Sequence, residues 1–437
     1  MNIKALSFSL ILSLHLPFHA DATGNEPIKA TVAEAWTRAK AHHALLKAKG
    51  KEVESARALL RQERLFENPE VAVSHNVNNP VTHRYFETNC EGQTDIQLSQ
   101  RIYIAGQRGQ RIRKADAELR RAEADHDDAT RLLRRDLSQQ MVELAGAREK
   151  QAVVECEIAS AQTILRAFEA QQQKGNVAVA EVMRLRSQYV QLLRERGEME
   201  ARLTALQQSI ALMLGTDAEA GIIPQVDYEA TVALLSEIEL HDLVGDLSNR
   251  PDMQSFRHDM ASAAHDIKLQ KANAWPTVSL TGEWDKNGSI GRNFFAVGLT
   301  MTLPLFNQNQ GNIRAARATL EAKQMEYEWQ RNQAASKLDQ DWKQLQSSLR
   351  IADEVARHLS AANEGLMQQM ERMYLARNIS LLELIDYYQA YKDNHFLLID
   401  SRGKVLSLMY NPQNEMFRLL GTKRSFSQNE TFFFSHP

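Results

Sequence analysis

Cysteine is almost absent: Cys90 and Cys156 are the only two in 437 residues. A helical stretch separates them by roughly 75 Å at 1.5 Å per residue, too far for an intrachain disulfide. Long apolar runs are lacking as well. The longest, Ala5 to Phe18, falls short of the roughly 20 residues that a spanning helix needs, so the chain can cross a membrane only with strands. No sign of charge dominates, because 52 Lys and Arg stand against 55 Asp and Glu, interleaved along the chain. That excludes the basic face of a nucleic-acid binder. A nucleophile–base constellation, a phosphate loop and a metal-ligand spacing are all missing, which points away from an enzyme, a cofactor or a resident metal.

What is there begins with an export signal. Lys4, the apolar run and the small residues of Ala20-Asp21-Ala22 define a signal peptide over residues 1–22, cleaved after Ala22. No cysteine follows it to take a lipid.

The rest is written twice. Arg111-Ile112-Arg113-Lys114-Ala115-Asp116-Ala117-Glu118-Leu119 returns as Asn312-Ile313-Arg314-Ala315-Ala316-Arg317-Ala318-Thr319-Leu320, a period of about 200 residues. Leu98, Ile102, Ile104 and Gln107 return as Leu299, Leu303, Leu305 and Gln308, and Leu214-Gly215-Thr216 returns as Leu420-Gly421-Thr422. The expected organisation is a first repeat over 23–216, a connecting equatorial segment over 217–250, a second repeat over 251–422 and a tail over 423–437.

Each repeat reads as a helix, two alternating strands, a very long helix, a short break and a returning helix. From Gln107 to Gln172 there is no proline, and Leu133, Leu137, Met141 and Leu144 recur at helical steps. Such a helix is close to 100 Å long at 1.5 Å per residue, which suits a rod or tube rather than a globular domain. The returning helix keeps a three–four alternation through Val182, Leu185, Tyr189, Leu192, Met199, Leu203, Leu206, Ile210 and Met213, broken only at Arg196. That pattern predicts antiparallel coiled-coil packing on the long helix.

Four strands carry the membrane argument. Phe295, Val297, Leu299, Met301 and Leu303 alternate with small or polar residues, as do Val278, Leu280 and Trp284, and more weakly Ile96, Leu98, Ile102 and Ile104. Each run is roughly 10 residues, the length of a tilted barrel strand. Val297, Leu299 and Met301 are therefore assigned to the lipid. Four strands cannot enclose a lumen, and open edges in lipid are costly, so oligomerisation follows; three chains supply twelve strands.

Asn68-Pro69-Glu70, Leu98-Ser99-Gln100, Ala105-Gly106-Gln107-Arg108, Asn249-Arg250-Pro251-Asp252 and Leu303-Pro304-Leu305-Phe306-Asn307-Gln308-Asn309-Gln310-Gly311 resemble the recurring blocks of the TolC-type outer-membrane channel family. The Asn-Pro-Glu and Gly-Gln-Arg stretches resemble its CzcC-like, heavy-metal efflux branch. The resemblance runs from about Thr31 to Thr422 and implies a mainly α fold with a small β part: duplicated long antiparallel helical hairpins and four transmembrane strands per chain. Three such chains form a 12-stranded barrel on an α-helical tunnel. It also implies a homotrimer in outer-membrane lipid with a long periplasmic portion, working with a periplasmic adaptor and an inner-membrane RND pump as a passive exit duct for heavy-metal cations. Drugs or other small molecules are the alternative cargo. A periplasmic coiled-coil adaptor is the alternative of another class, although it would lack the strands and the duplication.

Two departures stand out: Ala44 occupies the place of Pro251, and Arg377 that of Gly175. The resemblance makes the hairpin tips, Gly175, Asn176 and Val177 with Asn378, Ile379 and Ser380, the surfaces that meet the adaptor. It also aligns Glu383 and Asp386 with the acidic rings of the periplasmic mouth. Their three-residue spacing puts both on one helix face, a pattern that is more often two solvated acids; Arg377 is expected to pair with an acid across the tip. Met367, Met370 and Met373 have a spacing that suits Cu(I), but methionines on helices more often pack. His42, His43, His258 and His265 offer no better ligand set.

Overall fold

The computed structural model describes residues 28–89, 91–216, 221–233, 247–288, 291–359 and 366–410. The signal, Cys90, part of the connecting segment and the tail lie outside the described residues. In chain order the elements are β1 (Ile28–Thr31), α1 (Val32–His42), α2 (Ala44–Glu63), β2 (Glu70–His75), β3 (Asn78–Asn79), β4 (Arg84–Tyr85), β5 (Thr94–Ile102), α3 (Gln107–Gln173) and α4 (Val179–Leu214). There follow β6 (Ile222–Gln225), α5 (Tyr228–Ala233), α6 (Pro251–Ala272), β7 (Thr277–Gly288), β8 (Gly291–Thr302), α7 (Gln310–Leu359), α8 (Leu366–Leu375) and α9 (Leu381–Tyr410).

Local chemistry sets the helix ends. Thr31 opens α1 with a capping box: Glu34 receives the Thr31 main-chain N–H at 2.8 Å, and the Thr31 hydroxyl receives the Glu34 N–H at 3.3 Å. His43, extended at φ −61° and ψ 121°, separates α1 from α2. Arg250 takes the same conformation, φ −60° and ψ 140°, ahead of α6, where Pro251 fills the first helical position. Ala44 therefore starts its helix as Pro251 does, because the extended residue before it makes the break.

The 67 residues of α3 form the spine. Toward the strands, α2 and α6 flank it and α7 lies beyond α6; away from the strands, α4 and α9 flank it and α7 lies against α9. Leu137, Met141 and Leu144 of α3 are fully buried with Leu203, Ile210 and Leu214 of α4 and Ala35 and Ala39 of α1. Arg196, the break in the heptad, sits at the α3–α4 seam and pairs with Glu155 at 4.0 Å and Glu200 at 3.5 Å. At mid-length β1 pairs in parallel with β6, and buried Ile222 joins the same core. This is where the described part of the connecting segment lies. Cys156 of α3 is exposed on the single chain.

The sheet has the order β2-β5-β7-β8, with every neighbouring pair antiparallel. Directly opposed residues share a face. Its register aligns Val73, Ile96, Trp284 and Phe295 in one row, and Ile102, Val278 and Met301 in another; Leu280 stands opposite Leu299. The four alternations thus coincide as one continuous apolar face, and Phe295, Val297 and Leu299 on it are 75%, 82% and 64% exposed. The opposite face carries Asp95, Gln97, Ser99, Ser279, Thr281 and Glu283. No helix among the described residues is long and apolar enough to span a membrane.

Candidate functional site

The tip far from the sheet is built from two helix ends. Gly175 lies at φ +77° after α3, and the Asn176 N–H reaches the Gln171 carbonyl at 3.0 Å. After α8 the same turn recurs, with Arg377 at φ +57° and the Asn378 N–H on the Met373 carbonyl at 2.8 Å. A left-handed residue at this position is the common helix stop, and glycine adopts it without a Cβ penalty. Arg377 adopts it at a cost. Its guanidinium donates to the Asn176 carbonyl at 3.0 Å; the expected acid partner is replaced by main chain of the other turn. Val177 and Ile379 pack into one apolar cluster beneath the turns, where Phe168 and Tyr374 stack at 4.9 Å.

Ser380 begins α9 as its cap. Glu383 accepts from the Ser380 main-chain N–H at 2.6 Å and its hydroxyl at 2.9 Å, while the Ser380 hydroxyl accepts from the Glu383 N–H at 3.3 Å. The main-chain bond first, then the hydroxyl, hold the exposed Glu383 carboxyl below the usual carboxylate range. One turn on, Asp386 is exposed as well. The tip therefore gathers Gly175, Asn176, Val177, Arg377, Asn378, Ile379 and Ser380, and presents Glu383 and Asp386 to solvent beside them. The Ser-x-x-Glu spacing of Ser380 and Glu383 is a capping-box pattern legible in the sequence.

A buried polar cluster has no counterpart among the sequence-derived candidates. Above the tip, buried Lys392 of α9 donates to Glu195 of α4 at 2.8 Å and lies 4.0 Å from Glu157 of α3. Burial pushes the Glu157 carboxyl up to about 7, with Lys392 acting against that rise and Glu195 and Asp393 adding to it. One turn nearer the tip, Tyr388 donates to Glu371 of α8 at 3.1 Å and shares a 2.5 Å contact with Ser160 of α3. A charged residue at a helix position that reads as core, such as Lys392, is the signal that marks this cluster.

Of the methionines, Met370 packs against the tip cluster, the packing role. Burial lowers both His258 and His265. Among the described residues no group of three His, Cys, Asp or Glu is placed to hold a metal ion.

A family model described as "Outer membrane efflux protein" matches residues 36–216 and 246–406. Outer membrane protein OprJ of Pseudomonas aeruginosa is 24% identical over 219 residues, 47% of this chain and 42% of that protein. Cobalt-zinc-cadmium resistance protein CzcC of Cupriavidus metallidurans is 23% identical over 290 residues, 64% and 65% of the two chains. Pyoverdine export outer membrane protein OpmQ of P. aeruginosa is 24% identical over 247 residues, 53% and 49%. The chain thus spans 42% to 65% of the length of these curated relatives. The crystal structure of CusC superposes with a TM-score of 0.71 at 18% identity over 88% of this chain and 91% of that one.

Proposed function

The chain belongs to the outer membrane efflux protein family, and on that premise we propose that three copies assemble into a passive exit duct, a twelve-stranded barrel on a tunnel of helices. One observation carries this reading. The sheet combines a continuous apolar face with two outermost strands, β2 and β8, that have no further neighbour among the described residues. Four strands with open edges cannot stand in lipid, where each unpaired backbone group costs several kcal/mol. Pairing β8 of one copy with β2 of the next removes every edge. Val297, Leu299 and Met301 then meet lipid, and the row of Asp95, Gln97 and Ser99 meets the lumen.

The two turns then form the periplasmic end, docked by an adaptor that links the duct to an inner-membrane RND pump. Threefold symmetry makes Glu383 and Asp386 rings of three carboxylates that concentrate cations at the entrance. Heavy-metal cations are the cargo this reading favours, supported by the likeness to CzcC. The likeness to OpmQ, at 24% identity over a shorter alignment of 247 residues, supports the second reading, small organic molecules. The two halves are read as duplicates with boundaries near residues 216, 250 and 422.

Extraction of the chain from outer membranes as a detergent-resistant trimer is the expected result, and recovery as a soluble monomer overturns the duct. Deleting the gene and measuring tolerance to zinc, cobalt, cadmium, copper and organic drugs side by side decides the cargo.

A further inference from the structure

Charge buried inside a helical wall needs a reason, since an ion taken from water loses several kcal/mol of solvation unless close partners replace it. Lys392 is 4% exposed and Glu157 is 1% exposed. The ammonium comes from the second hairpin and its partners from the two helices of the first: Glu195 on α4 at 2.8 Å and Glu157 on α3 at 4.0 Å. Lys392 and Glu195 are satisfied by each other, but Glu157 is not, because its buried Oε1 has no hydrogen-bond partner. Around it stand Glu195 from α4, Lys392, Asp393, Tyr388 and Tyr391 from α9, and Glu371 from α8, reached through Tyr388. His395 packs on Tyr391 at 4.3 Å.

We propose that Lys392, Glu157 and Glu195 form a proton-sensitive latch that holds the returning helix of the second hairpin on the first and sets how readily the tip opens. Two features of the geometry separate it from the contacts at the turns. It grips both helices of the first hairpin at once, and it lies about three helical turns from the tip, at 3.6 residues per turn. A carboxyl in this place is tolerated while it holds a proton; once ionised, it becomes a second buried anion for one cation.

The direction with pH follows from linkage. In the packed arrangement Glu157 keeps its proton up to about pH 7, whereas a solvent-exposed glutamate releases it near its ordinary value of 4.5. The packed state binds the extra proton between these values, so its hold is complete at the low end and is lost as pH rises through about 7. Above that the latch rests on Lys392 and Glu195 alone. The loosening is at most about two and a half orders of magnitude in the equilibrium between packed and parted helices.

The latch stands on the packing of one chain, whereas its effect on opening rests on the duct reading, so two measurements are needed on the full-length protein. The first is amide hydrogen exchange of Leu381–Lys392 in detergent between pH 5 and 8.5, corrected for the intrinsic exchange rate. Protection in the wild type is expected to fall 10- to 100-fold across that range, in Glu157→Gln to stay at its low-pH level throughout, and in Lys392→Met to be low throughout. Lys392→Arg should restore the wild-type profile, and His395→Gln should leave it unchanged. A Glu157→Gln profile that follows the wild type, or a wild-type profile abolished by His395→Gln, overturns the latch. The second is conductance in planar bilayers, which should rise with pH in the wild type but not in Glu157→Gln. Exchange that behaves as expected in a protein that forms no pores keeps the latch and removes the duct; pores whose helices show pH-independent exchange do the reverse.

Discussion

The Arg377 guanidinium donates to the main-chain carbonyl of Asn176 at 3.0 Å, so the turn of the second hairpin is fastened to the backbone of the first. The residue that makes this tie occupies a left-handed position, φ +57°, where a side chain costs roughly 1–2 kcal/mol. Arg377→Gly removes strain and tie together. Its thermal stability should be unchanged or slightly raised, while limited proteolysis near the turns should become several-fold faster. Unaltered cleavage would mean that the contact holds nothing.

Glu383 serves the cap of its own helix, which changes how its charge should be tested. Glu383→Ala with Asp386→Ala takes away the charge and one side of a capping box; losing a cap costs about 1 kcal/mol. Glu383→Gln with Asp386→Asn keeps an acceptor for Ser380 and removes only the charge. Both doubles should assemble normally and show reduced cation selectivity or raised conductance in planar bilayers, the amide pair with its helix end intact. Unchanged selectivity and conductance in assembled double variants would return the two acids to an ordinary solvated face.

Leu299 and Thr300 are neighbours on opposite faces of β8, facing Leu280 and Ser279 across the ladder. Leu299→Arg places a charge on the apolar face at a cost of about 2–4 kcal/mol near mid-bilayer, and outer-membrane trimers should be lost. Thr300→Arg should assemble. Equal yields of the two would invert the faces.

Residues 79–89 fold over buried Glu87, which accepts from the Asn79 amide at 3.0 Å and the Asn89 amide at 2.7 Å, and Lys286 donates to the Thr88 carbonyl at 2.7 Å. The segment lies at the sheet end remote from the helices. A membrane-impermeant thiol reagent should therefore label Cys90 on intact cells and leave Cys156 unmodified until the outer membrane is opened. The reverse order would turn the molecule over.

Much of this architecture is legible in one dimension, because periodicity reports what each segment does with its own faces. The expected helix from Gln107 to Gln172 is found as Gln107–Gln173, and the alternation of Phe295 through Met301 lies on a strand from Gly291 to Thr302. Partners from afar are harder to read. Lys392 finds Glu195 from 197 residues away, and neither residue's neighbourhood announces the other. Arg377 shows the same limit: its charge suggested an acid, but the turn geometry aims it at a carbonyl. Glu383 is legible in both roles, because its three-residue spacing from Ser380 marks a capping box as plainly as its spacing from Asp386 marks an acidic face.

The order of the sheet also imposes a schedule. β5 pairs with β2 from its own half but also with β7, for instance Asp95 with Asp285, after 190 residues have intervened. Until β7 has been made, β2 and β5 are a two-stranded ribbon with an apolar face, marginally stable in water at best. The partner strands must still be synthesised, at about 5–20 residues per second. For roughly 10 to 40 seconds on that scale the half-made product exposes a sticky edge, and its fate rests on whatever shelters it during the wait.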